Sequence, residues 1–464
     1  MSKFNIFSKA VAVLFFCAGS LVFAATNPAV QAEPAENTLV RVAELLSASR
    51  FDEAIALFDT IPPAERESTQ LRLVRASVLS SAGRHDEARS VIQGIRAAEP
   101  NNIEALFTLA LIEGTAGRRR EEQNALQQII ALDPNNADAL VALGNIALRN
   151  RNLRQAAAHF HQVFSADRDN PGALLGLGRV FRMNREWEEA ALFLNRAVEL
   201  YPDMAEARTE RARLFRAQGF ITNALADLDE AKRLRPNDYW IAIDRGHLLF
   251  DFDERQEALD EFLRAIEINP NEFLAYVYTA GLKGQLGDLD GAMRHYQILS
   301  RLNPDYYFAF EGFGLHSMRV GNWQDARDAF AEAHRRAPDE HFYALLTAIS
   351  WMKMGDITAP RNFLAQVQGR VPRDTLEWHM FRLFHDLTAR NFAGERDMVA
   401  RLERETNLVT RARMTFYMAM YYDIRGMTSM ANRFFLMVNE LGQRSIPEWR
   451  LNEWILDARN IRAL

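Results

Sequence analysis

Apolar residues along this chain fall in short helical stripes that come in pairs. Within residues 205–238, Ala212 and Phe215 share one stripe and Gly219 breaks it. Ala224, Leu228 and Ala231 form a second stripe, which Pro236 stops. Spacings of three and four put each set on one helix face, so the segment predicts helix, turn, helix. The pattern returns every 34 residues from Ala35 to Asp374 with no insertion and no deletion. One column reads Ala54, Ala88, Glu122, Ala156, Ala190, Ala224, Ala258, Ala292, Ala326 and Pro360. Twelve residues further on, another reads Arg66, Pro100, Pro134, Arg168, Pro202, Pro236, Pro270, Pro304, Pro338 and Pro372. A fixed period of this kind marks a solenoid, in which each repeat packs on its neighbours.

Two further columns say how the helices meet. The eighth position of a repeat is small (Gly144, Gly178, Ala212, Gly246, Ala280, Gly314, Ala348), which lets the paired helices approach. The twenty-fourth is often large (Phe58, Phe160, Phe262, Tyr296, Phe330) and fills the gap to the next repeat. Proline cannot continue a helix, so it ends the second helix and prepares the next first one. The expected organisation is ten contiguous repeats over 35–374, a degenerate helical segment over 375–411, a repeat-like unit over 412–445 and an amphipathic capping helix over 446–464. The fold class is all-α: a right-handed superhelix of about twelve helical pairs.

Residues 1–32 read as an export signal and short linker. Lys3 and Lys9 precede the apolar stretch Ala10–Phe23, and cleavage motifs follow at Val22-Phe23-Ala24 and Val30-Gln31-Ala32. This is the form of a secretory signal peptide. Cys17 is the only cysteine and would leave with it, so the mature chain would have no disulfide, thiolate ligand or cysteine nucleophile. The composition is that of an ordinary globular protein, with 48% hydrophobic and 25% charged residues. The formal charge is −6 and becomes −8 without the two leader lysines, which argues against nucleic acid as a partner. Beyond the signal the only lysines are Lys232, Lys283 and Lys353, so arginine supplies nearly all positive charge.

The 34-residue period, the small eighth residues and the closing prolines resemble the tetratricopeptide-repeat family over nearly all of the mature chain. The last segment carries a second resemblance. Phe416-Tyr417, Ala419, Tyr421-Tyr422, Gly426, Ala431, Phe435, Glu448 and Arg450 look like the end of repeat lipoproteins that scaffold peptidoglycan endopeptidases at the bacterial outer membrane. Those proteins have an acylated cysteine, for which Phe16-Cys17 is the wrong context. The resemblance implies a bacterial envelope location, periplasmic or secreted.

Family resemblance places positions 2, 5, 9, 12 and 13 of each repeat on a concave, partner-facing surface. Over 137–238 those positions include Arg149, Arg179, Arg182, Arg213 and Arg216, a row suited to carboxylates; the alternative is internal pairing with acids such as Glu206 and Asp138. Over 239–374 they turn apolar: Trp240, Ile243, Phe250, Leu274, Val277, Phe308, Leu315, Met318, Phe342, Leu345, Ile349 and Met352. An open apolar row marks an interaction site; the alternatives are cover by a later part of the chain and self-association. The candidate peptide-binding residues are Arg149, Arg179, Arg182, Arg213, Arg216, Trp240, Phe250, Phe308, Met318 and Phe342. The clamp that chaperone-binding relatives use is missing, since Val141 holds the fifth position beside Asn145 at the ninth.

No catalytic, cofactor or metal constellation emerges. His159 and His161 are two apart on a helix and face different ways. Gly172–Gly178 and Gly312-Phe313-Gly314 fall on helices, not after strands, so phosphate-loop readings fail. The pattern therefore predicts a non-catalytic scaffold without cofactors that holds a protein or peptide segment. The alternatives are a self-assembling homo-oligomer and, last, a small-ligand binder or enzyme.

Overall fold

A computed structural model describes residues 34–48, 50–62, 66–387 and 392–461. The expected export segment, residues 1–32 with Cys17, lies outside the described residues. The fold is an all-α helical repeat, and among the described residues there is no strand. No helix there is long and apolar enough to cross a membrane. The chain forms two compact bodies, 1–234 and 235–464.

The N-terminal body contains six helix pairs, from Pro34–Ser47 with Phe51–Phe58 to Ala205–Gln218 with Ile221–Leu234. Each repeat builds its boundaries from local chemistry. Asn102, Asn136 and Asn170 accept a backbone N–H from Ala105, Ala139 and Ala173 at 2.8, 3.1 and 3.0 Å, so each starts a first helix. Acidic residues such as Glu188 and Glu189 open the second helix, where the dipole favours them. The alanine column is sealed: Ala54, Ala88, Ala156, Ala190 and Ala224 have no exposed surface. Glu122 interrupts it; its carboxylate lies over the bare backbone of Gly114 and meets Arg149 Nη2 at 3.0 Å.

The C-terminal body also has six pairs, beginning with Tyr239–Asp251 and Arg255–Ile268, and adds the terminal helix Pro447–Ala458. The segment after Asp374 folds as Leu376–His385 and Phe392–Arg404. The next helix, Leu408–Ile424, begins four residues before Ala412, because the Asn407 side chain accepts from Val409 and Thr410 N–H. The terminal helix reaches back past its sequence neighbours. Its Trp454 ring lies 5.6 Å from that of His316, and the Arg319 guanidinium sits 4.7 Å from the Trp454 centroid. One continuous core joins Leu315, Met318, Phe342, Leu345, Tyr417, Phe435, Trp449 and Leu456.

Candidate functional site

The arginine row of the N-terminal body is tied together by one carboxylate. Arg179 and Arg182 leave the helix Pro171–Met183 one turn apart, and Arg213 leaves Ala205–Gln218. Arg179 Nε donates to Glu210 Oε1 at 2.9 Å, Arg182 Nη2 to Oε2 at 3.1 Å and Arg213 Nη1 to Oε1 at 2.6 Å. Glu210 is buried. Burial alone would raise its carboxyl, but Arg179, Arg213 and Arg182 outweigh that and hold it at about 2. Arg149 is paired with Glu122, and Arg216 is also engaged. Nearby acids thus satisfy the row internally, as the alternative reading expected, and Glu210 and Glu122 are among them. Glu210 lies 31 residues beyond Arg179 on the next repeat's first helix, a relation that only the stacked repeats create.

The apolar row of the C-terminal body divides in two. Phe250 and Phe308 are exposed, by 42% and 45%, and Trp240, Leu274 and Val277 are half-buried. Met318 and Phe342 are each only 6% exposed, and Leu315, Leu345, Ile349 and Met352 are buried with them. The expectation of an open apolar surface fails at Met318 and Phe342. The reason is the chain's own end: helices Leu408–Ile424 and Pro447–Ala458 lie over this face. Arg413 stacks on the Phe342 ring at 4.3 Å, and Tyr417 Oη lies 3.3 Å from the Phe342 carbonyl.

That cover is fastened by polar contacts no sequence column suggested. Tyr417 Oη donates to Glu448 Oε1 at 2.8 Å, and Arg413 Nε lies 3.2 Å from the same oxygen. Tyr343 Oη donates to Glu311 Oε2 at 2.5 Å. Burial pushes the Glu311 carboxyl above the usual range, and burial beside Glu311 pushes the Tyr343 phenol far up. Lys353 Nζ and Arg459 both grip Asp423. No group of three His, Cys, Asp or Glu among the described residues is placed to hold a metal ion.

Residues 107–153, 141–205 and 194–239 each match the family model described as tetratricopeptide repeat. The chain is also similar to solved structures. The MamA protein is 20% identical with a TM-score of 0.34, over 37% of this chain and 94% of that one. YrrB, described as a TPR protein with an unusual peptide-binding site, is 20% identical with a TM-score of 0.35, over 40% and 97%. A tetratricopeptide repeat protein from Parabacteroides merdae is 17% identical with a TM-score of 0.44, over 54% and 98%. No curated protein matches the sequence. Residues 107–239 are thus tetratricopeptide repeats, and helix pairs at the same 34-residue interval continue on either side of them.

Proposed function

We propose that this chain is a non-catalytic scaffold, exported to the bacterial envelope, that holds a protein or peptide segment against the first helices of its repeats. The observation that carries the reading is the cluster on Glu210. Arg179 and Arg182 each commit one nitrogen to that carboxylate, and each guanidinium has five N–H donors. The buried acid locks both side chains in place, so an acidic group on a partner meets donors already positioned, which lowers the ordering cost of binding. Phe250 and Phe308 offer exposed rings on first helices of the other body, the side-chain type that most often anchors a partner.

Site-specific photo-crosslinking in cells tests this. A photoreactive phenylalanine at Met183, Phe250 or Phe308 should yield a discrete protein adduct, and one at Leu192, exposed on a second helix, should not. Arg179→Ala should weaken the adduct at Met183 several-fold. Absence of adducts, or the same adducts from Leu192, would remove the scaffold reading. The export part has its own measurement: the intact mass from cells should place the mature N-terminus at Ala25 or Glu33.

A further inference from the structure

The terminal helix Pro447–Ala458 does not close flush on the helices beneath it. Between it and the helices Phe273–Gln285, Leu289–Leu302 and Phe308–Arg319 lies a cavity of about 650 Å³. A second of about 250 Å³ adjoins it, and Tyr296, His316, Arg450 and Trp454 line both. The larger volume falls in the range of roughly 300–1,000 Å³ that small-molecule sites occupy.

His316 is the buried centre of this space, with 5% exposure. Its Nδ1 lies 2.8 Å from the Gly312 carbonyl, so Nδ1 carries the proton and Nε2 is an acceptor. Nε2 faces the bare backbone of Gly284, where an added Cβ would strike it. Burial, with Arg319 and Arg450 nearby, pushes the imidazole below its usual range and keeps it neutral. Those two arginines line the larger cavity, and neither has a carboxylate within 4 Å among the described residues. Tyr296 and Trp454 supply flat apolar walls. Glu453 and Asp457 line it too, which disfavours a multiply charged anion.

We propose that this cavity binds a small carboxylic acid built on a flat ring. The carboxylate takes the donors of Arg450 and Arg319, and the ring lies against Tyr296 and Trp454. Such a guest touches both walls, so binding pins the terminal helix to the helix Phe308–Arg319. This site is separate from the protein-holding surface proposed above.

Calorimetry on the intact chain with 4-hydroxyphenylacetate tests the assignment, with its neutral amide and phenyl phosphate as the other arms. The acid should bind once per chain and the amide at least tenfold more weakly. Arg450→Gln, at an exposed position without an ion-pair partner, should weaken the acid at least tenfold. Arg294→Gln, an exposed arginine outside the cavity, should leave binding unchanged. Hydrogen exchange should slow together in Phe308–Arg319 and Pro447–Ala458 when the acid is added. No binding, equal binding of the amide, tighter binding of phenyl phosphate, or full affinity in Arg450→Gln would each overturn the proposal.

Discussion

From Gly83 to Gly355 the turn inside each repeat is made by one residue in the left-handed region. Glycine holds it at Gly83, Gly117, Gly219, Gly287, Gly321 and Gly355, but Arg151, Arg185 and Asp253 occupy the same position with φ of 57°, 63° and 63°. A side chain there costs roughly 1–2 kcal/mol, partly offset by the entropy that glycine loses. Arg151→Gly and Asp253→Gly should therefore each raise stability by about 0.5–1 kcal/mol, read as a higher midpoint in thermal melts. Glu210 is the opposite case, a residue whose loss the fold cannot absorb. Its carboxyl titrates near 4.5 unfolded and about 2 folded. The stability it contributes is therefore complete above about pH 4.5 and drains away as pH falls towards 2. Glu210→Gln should cost roughly 3 kcal/mol at pH 7, because three guanidiniums lose their shared partner, and the gap to the parent should narrow in melts taken at successively lower pH.

Within a helix pair, the fit rests on a glycine of one helix against a ring of the other. A Cβ at Gly144 would stand 2.6 Å from the Phe160 ring, and one at Gly246 the same distance from Phe262. Gly281 also lies within a helix, yet a Cβ there would meet nothing within 4 Å. The same substitution should have opposite signs. Gly144→Ala should destabilise by about 1–3 kcal/mol through overpacking, and Gly281→Ala should stabilise by about 0.5–1 kcal/mol through helix propensity. Denaturant midpoints decide both. The small eighth and large twenty-fourth places were legible in the sequence, but that the ring lies on the glycine of its own pair as well as on the next repeat was not. The start of Leu408–Ile424 was not, because there the period has lapsed and one capping asparagine sets the boundary.

At the scale of the whole molecule, the end of the chain decides which surfaces remain open in the C-terminal body. Deleting residues 446–464 would uncover the buried faces of Phe308–Arg319 and Leu408–Ile424 and strip Tyr417 of Glu448. Hydrogen exchange in both helices should accelerate by more than tenfold, and the truncated chain should bind an apolar dye that the full chain does not. Unchanged exchange would mean that the terminal helix contributes nothing to holding this face.

Helix pairs, their 34-residue length and the alanine seal all follow from the sequence, because each depends on residues within one repeat or its neighbour. Arg179, Arg182 and Arg213 were legible as one row for the same reason. What the row is tied to, and whether Met318 and Phe342 meet water, were not. Glu210 reaches Arg179 and Arg182 only once repeats are stacked, and Trp454 covers His316 from 138 positions further along the chain. A periodic pattern states which face of a helix is apolar. Only the packed chain determines what lies against that face, because contacts between distant segments leave no spacing in the sequence to read.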